Sequence, residues 1–299
     1  MRTFKLILAY DGTRYSGWQL QPDRRTVQEE LEAALARITQ TKLRILGASR
    51  TDAGVHALGQ LVSFESDTPI AADKLIRGLN HELPEDIIVR ELVDAPAGFH
   101  AIRHSFRKRY RYVIYDGQVP DLLRRHYSWH VGKPLDPQAM HRAAQGLVGK
   151  HDFSTFESSG AERKTSIRTV FELSVTRETA PADELWSVAR AGQGGAPTVE
   201  LPFIRIEIEA DGFLYNMVRS IAGTLYEVGR AHRPEEWPRQ IMETMQRSQS
   251  GRTAPAHGLF LLWVKHLEPP FPPKPIRNVQ AGAVEVSVDA TDEFDEGDA

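Results

Sequence analysis

The sequence predicts an α/β protein, and two observations carry that expectation. Period-two alternation recurs along the chain, at residues 4–9, 105–115 and 203–210, as half-buried strands require. Between these runs lie segments with apolar residues at helical spacing and recognisable start signals. With 41% hydrophobic and 26% charged residues the chain can bury a sizeable core. Its 299 residues allow one large domain or two of ordinary size.

The elements follow in order. The strand at residues 4–9 ends in Tyr10-Asp11-Gly12, a turn, and then a glycine-hinged segment rich in aromatics and amides runs to Gln21. That segment reads either as a loop with a packing Trp18 or as a contact to a base or sugar. Thr26-Val27-Gln28-Glu29 is a capping box. It opens a helix to about Ile38 with Val27, Leu31, Ala34, Leu35 and Ile38 as the apolar stripe. Strand-like runs at 43–46 and 61–64 flank a loop at 47–60. A helix is expected at 72–79 and a strand at 87–92. The alternation at 105–115 puts Phe106, Lys108, Tyr110, Tyr112 and Ile114 on one face and Arg107, Arg109, Arg111 and Val113 on the other. Asp136-Pro137 starts a helix that Gly149 ends, and His151-Asp152 reads as a turn. A strand at 165–176 is followed by a loop at 177–201 without periodicity, in which residues 192–197 read as a flexible surface loop. A helix is expected over 213–229, with Leu214, Val218, Ile221 and Leu225 inward, Arg219 beside them mid-helix, and Gly223 opposite, allowing close approach of another segment. A helix at 234–248 and a buried strand at 259–264 complete the pattern. Residues 269–275 hold too many prolines for a sheet, and the acidic stretch beyond Asn278 is expected to be disordered.

Composition narrows the chemistry. With no cysteine, the chain has no disulfide, thiolate zinc site or cysteine nucleophile. The N-terminus runs straight into a strand without a signal-peptide pattern, and no apolar run approaches membrane-spanning length; a soluble, cytoplasmic protein is expected. The net charge of −3 conceals an asymmetry. Residues from Asn278 onward carry seven acids and no base, which leaves 33 acids against 37 bases, or +4, over residues 1–277. The bases are densest at 103–112, where they interleave with aromatics. Such a pattern suits phosphate contacts combined with base stacking, or equally a solvated strand face.

The loop at 47–60 concentrates the polar chemistry: Arg50, Asp52 and His56, hinged by Gly47, Gly54 and Gly59. An arginine two residues away can keep an aspartate ionised. Asp before Ala-Gly is also a common turn residue, its carboxylate bonded to nearby amides. His100 and His104 are spaced four apart but lie in a strand-like region without a third ligand, weak grounds for a metal site.

Four stretches in this order resemble the tRNA pseudouridine synthases of the TruA family: Tyr10-Asp11-Gly12-Thr13 through Gly17-Trp18-Gln19, Arg50-Thr51-Asp52-Ala53-Gly54-Val55-His56, Arg109-Tyr110-Arg111-Tyr112, and Phe213 through Arg219. The resemblance covers roughly residues 3–267. It implies two α/β halves that share one long, mostly antiparallel sheet with flanking helices and a central basic cleft. The halves are expected at 1–104 and 105–268, with a tail at 269–299. It implies an isomerase that converts uridine to pseudouridine on the 3′ side of the tRNA anticodon stem-loop, as a homodimer, without cofactor or metal. By the same carry-over Asp52 is the catalytic carboxylate and Arg219 its partner. Tyr110 stacks on the target uracil and helps move the C5 proton, and Arg50 approaches RNA phosphate or helps flip the nucleotide. The basic face of the 105–115 strand is expected to hold phosphates. Ser49 stands where the family usually has glycine, and strain is expected there if the position needs positive φ. A non-catalytic RNA-binding protein on the same fold is the competing reading. A glycosidase ranks lower, because no second carboxylate stands beside Asp52 in the loop.

Overall fold

A computed structural model describes residues 1–160, 165–181 and 198–270. In chain order the elements are β1 (Arg2–Tyr10), α1 (Val27–Thr39), β2 (Leu46–Gly47), β3 (His56–Ser66), α2 (Ala72–Glu82), β4 (Ile87–Ala95), β5 (Ser105–Tyr115) and β6 (Trp129–His130). They continue with α3 (Pro137–Gln145), β7 (Gly149–Asp152), β8 (Ile167–Pro181), β9 (Thr198–Ala210), α4 (Met217–Gly229), α5 (Trp237–Thr244) and β10 (Leu259–His266). The fold is α/β, as the alternating pattern predicts.

Among the described residues all ten strands belong to one sheet with the order β4-β1-β3-β10-β5-β9-β8-β7, where β2 lies beside β3 and β6 beside β5. Pairing is antiparallel except at β3–β10 and β5–β6. The late strand β10 therefore sits at the middle of the sheet, bonded to β3 on one side and β5 on the other. Helix α2 packs on β4 and α1, and α3 packs on β8 and α4. Phe4, Leu6, Leu31, Leu35, Leu61 and Leu75 are fully buried between the N-terminal strands and helices. Among the described residues no helix is long and apolar enough to cross a membrane.

Local signals explain the helix boundaries. Thr26 Oγ1 accepts from Glu29 N at 3.3 Å and starts α1. Asp136 accepts from Gln138 N and Ala139 N at 2.8 and 2.9 Å and starts α3. Several expected boundaries differ. β3 begins at His56, inside the expected loop, because Ala57 pairs with Tyr10 and His56 with Phe260. The run at 43–46 gives only the two-residue β2. α4 starts at Met217 rather than Phe213, since Asn216 takes a left-handed conformation at φ 60°. Arg219 therefore stands in its first turn, not mid-helix. α5 stops at Thr244, with Met245 left-handed behind it. His151-Asp152 belongs to β7. The expected loop at 177–201 is in part strand, for Arg177 pairs with Ile204 and Thr179 with Glu200. Its middle, like the expected disordered tail beyond residue 270, lies outside the described residues.

Candidate active site

Asp52 lies on the short loop between β2 and β3, and a second loop from the end of β1 braces it from behind. Trp18 N donates to Thr51 O at 3.0 Å, and Gly54 N donates to Tyr15 O at 3.3 Å. Gly17, at φ +97°, packs against this loop so closely that a Cβ there would lie 2.6 Å from Thr51 O. The phenol of Tyr10 bonds Thr51 Oγ1 at 2.7 Å. Trp18 is 3% exposed, so of its two readings the packing one describes this structure. The loop is thus held by backbone and core contacts on both flanks of Asp52.

The Asp52 carboxylate does not cap its own turn. The turn closes through its backbone, Val55 N donating to Asp52 O at 3.1 Å. Its side chain instead receives a hydrogen bond from Arg219 Nη1 at 3.4 Å, an ion pair whose side chains are 29% and 17% exposed. Burial pushes the Asp52 carboxyl above its ordinary value, and the Arg219 charge and hydrogen bond pull against that rise without cancelling it. Arg219 is itself fixed. Its Nε donates to Ala254 O at 2.7 Å and its Nη1 to Asn216 Oδ1 at 2.6 Å. The Ala254 segment reaches α4 because Gly223 has no side chain: a Cβ there would stand 1.8 Å from Arg252 O. The close approach expected at Gly223 is realised by this segment.

Tyr110 projects from β5 toward the same loop. Its ring is 5% exposed and meets Phe213 edge-on, with centroids 5.0 Å apart. Its hydroxyl lies 2.8 Å from Ser49 Oγ. Ser49 is not among the residues with positive φ, so the strain considered for serine at this position does not arise. Its backbone is clamped by the Gln60 amide, which accepts from Ser49 N at 3.1 Å and donates to Ser49 O. Arg50 is exposed, and its side chain makes no hydrogen bond or ion pair among the described residues.

The structure corrects one expectation directly. The arginine face of β5 is not open for phosphate. Arg107 pairs with Glu209 at 3.1 Å. Arg109 meets Glu207 at 3.2 Å, Glu209 at 2.8 Å and Glu172, and Arg111 meets Glu207 at 2.5 Å. The register of β5 against β9 sets this neutralisation, with Arg109 opposite Glu209 and Arg111 opposite Glu207. Single-strand inspection misses it because the acids lie about 100 residues away. The exposed cations nearer the site are Arg50 and Arg252. The guanidinium of Arg252 lies 4.5 Å from the Trp129 ring centroid and 5.2 Å from that of Tyr226.

His100 and His104 fall in a turn, not a strand, and their ring nitrogens accept backbone N–H groups: Ile102 N on His100 at 3.2 Å and His100 N on His104 at 3.2 Å. Among the described residues no three His, Cys, Asp or Glu side chains group so as to hold a metal ion. His56, left without a role above, is 2% exposed. Its Nδ1 accepts from Gly12 N at 3.1 Å, and its Nε2 lies 3.1 and 3.2 Å from the carbonyls of His126 and His257. It ties the end of the Asp52 loop to three other segments. The sequence gives no role to Asn216 or Ala254, which hold Arg219, because neither residue type carries a signal there.

This arrangement brings together segments from both ends of the chain, and both fall within the stretches that match known proteins in sequence. A family model described as tRNA pseudouridine synthase matches residues 6–102 and 143–266. The chain is 45% identical over 265 residues to tRNA pseudouridine synthase A of Acetivibrio thermocellus, covering 88% of this chain and 99% of that protein. It is 42% identical over 268 residues to the protein of that name from Moorella thermoacetica, covering 89% and 100%. For that of Bacillus subtilis the identity is 39% over 259 residues, covering 86% and 96%. The chain belongs to the tRNA pseudouridine synthase family.

Proposed function

We propose that this enzyme isomerises uridine to pseudouridine in the tRNA anticodon stem-loop, with Asp52 as the catalytic carboxylate. The observation that carries the reading is the Asp52–Arg219 pair at 3.4 Å. It gives a half-buried aspartate, unused by its own turn, a cation from a helix 167 residues away in a family-matched chain. A partner charge is needed there, since burial alone favours the neutral acid.

The reaction breaks the bond from uracil N1 to the sugar, turns the base over and joins C5 to the same sugar carbon. An ionised Asp52 serves this chemistry as nucleophile or base at the sugar. The target base first leaves its stack, which costs a few kcal/mol and needs a receiving surface. Tyr110 is that surface in our reading, and the base then takes the place of Phe213 against its ring or lies on the opposite face. Arg50, next but one to Asp52, contacts phosphate or supports the flipped nucleotide. Arg252, two residues from the carbonyl that holds Arg219, is a second phosphate contact. The enzyme acts in the cytoplasm as a homodimer, built from halves at 1–104 and 105–268, and needs no cofactor.

The test is tritium release from tRNA labelled at uracil C5, comparing the wild type with Asp52→Ala. Isomerisation expels that hydrogen; binding and glycosidic hydrolysis do not. Release by the wild type, abolished in a variant that still binds tRNA, is the expected result. Binding without release from unmodified tRNAs would replace this reading with the RNA-binding one.

A further inference from the structure

Ser49 is 7% exposed and lies on the Asp52 loop where it meets β5. Its Oγ is 2.8 Å from the Tyr110 hydroxyl and 3.5 Å from Lys108 Nζ. Lys108 Nζ in turn donates to Ala48 O at 2.6 Å. Lys108 and Tyr110 are two apart on β5 and share one face of it. Three consecutive pieces of chemistry therefore meet behind the site: an ammonium, a serine hydroxyl and a phenol.

The donor inventory allows one ordered arrangement. An ammonium has donors and no acceptor, so Lys108 takes one of the two lone pairs of Ser49 Oγ. Either hydroxyl can then donate in the Ser49–Tyr110 contact. With Ser49 as the donor, the phenol oxygen accepts and its own hydrogen is directed away from Ser49. We infer that Ser49, oriented by Lys108, is a positioning residue that sets the rotation of the Tyr110 hydroxyl for removal of the hydrogen from uracil C5. This rests on the uridine-isomerase reading above.

In that step the C5–H bond breaks after C5 has joined the sugar carbon. The bonding pair forms the C5=C6 double bond, the π pair of N1=C6 passes to N1, and N1 takes up a proton. One proton leaves C5 and one arrives at N1, so a neutral hydroxyl serves by accepting one as it gives up its own. Such a group works only if its lone pair and its hydrogen face the right ways. Ser49 is placed to impose that orientation. It touches no substrate and acts through Tyr110.

Ser49→Ala is the informative variant. The Gln60 clamp holds the Ser49 backbone, not its side chain, and φ at this position suits alanine, so the loop is retained. Single-turnover rates are measured on tRNA carrying ordinary or C5-deuterated uridine, alongside tRNA affinity and melting temperature. The expected result is a rate about tenfold lower, unchanged affinity, and a C5-deuterium isotope effect larger than in the wild type, because C5 deprotonation has become slower than the steps before it. Lys108→Met should move the rate and isotope effect in the same direction, and by less. An unchanged rate in Ser49→Ala, or a lower rate without a larger isotope effect, overturns the inference, since a purely structural role slows all steps alike. Wild-type protein that releases no C5 hydrogen defeats the isomerase reading instead, so the two failures are distinct.

Discussion

Arg219 reaches Asp52 at 3.4 Å but Ala254 O at 2.7 Å and Asn216 Oδ1 at 2.6 Å. The guanidinium is held mainly by its own half of the molecule and offered to the aspartate. Its role is thereby separable from that of Asp52. Burial raises the Asp52 carboxyl and Arg219 lowers it. Removing Arg219 leaves burial unopposed and raises the carboxyl further. If the ionised form is the active one, the acid limb of the pH profile of kcat/KM moves to higher pH in Arg219→Ala. A limb that stays in place would show that Arg219 does not act on the charge of Asp52.

Gly223 controls the same pair from behind. A methyl group there would meet Arg252 O at 1.8 Å and push the 251–254 segment, with Ala254 O, off the helix. Gly223→Ala is expected to destabilise the protein by about 1–3 kcal/mol and to slow isomerisation more than tenfold, roughly the effect of a displaced catalytic group. Thermal melts and single-turnover rates check this together. A stable, fully active variant would mean that the segment moves without consequence for Arg219.

The neutralised arginines and the exposed ones should separate in a salt titration. Arg109 is committed to three glutamates, so Arg109→Ala should lower stability by about 2 kcal/mol and leave the dependence of tRNA affinity on salt unchanged. Arg252→Ala and Arg50→Ala should each reduce the slope of log affinity against log salt by about one, with little change in stability. The opposite pattern would return the phosphates to the face of β5.

Glu209 gives a stability signature. It is 5% exposed. Burial pushes its carboxyl up, but hydrogen bonds from Arg109 and Arg107 outweigh that and leave it below its ordinary value of 4.5. A carboxyl depressed in the folded state contributes stability in full above 4.5 and loses it as pH falls from there through the folded value. Glu209→Gln is expected to be less stable than the wild type by about 1–2 kcal/mol at neutral pH. The gap should narrow below pH 4.5, as read from urea unfolding at several pH values.

Much of the framework is legible in local sequence because its causes are local. The capping box at Thr26, the Asp136-Pro137 start and the alternation of residues 105–115 all rest on interactions within a few residues, and all three elements are present. Gly223 is legible for the same reason, a glycine in a helix that needs an explanation. What was not legible depends on distant partners. β3 starts early because β1 and β10 pair with it, although Gly59 within it resembles a loop residue. The two-residue β6 has no pattern of its own and exists by pairing with β5. The charge of β5 is cancelled from β9 and β8, and no inspection of residues 103–112 reveals that. At the site, Asp52 stands out by its loop and Tyr110 by its strand, but the hydroxyl of Ser49 acquires a partner only when the two are folded together.

The central position of β10 has a consequence for how the protein is made. The ribosome delivers β1 to β5 before β10, and the start of β3 and one side of β5 have no final neighbour until residues 259–266 arrive. The loop just before β10 also supplies the carbonyl that holds Arg219. A nascent chain that has emerged only as far as α5 thus carries every candidate catalytic side chain and still lacks the strand that joins their supports. Its unpaired β5 edge, with the start of β3 beside it, is the place where another chain would bind it in error, and synthesis of the last strand removes that hazard and completes the site in one step.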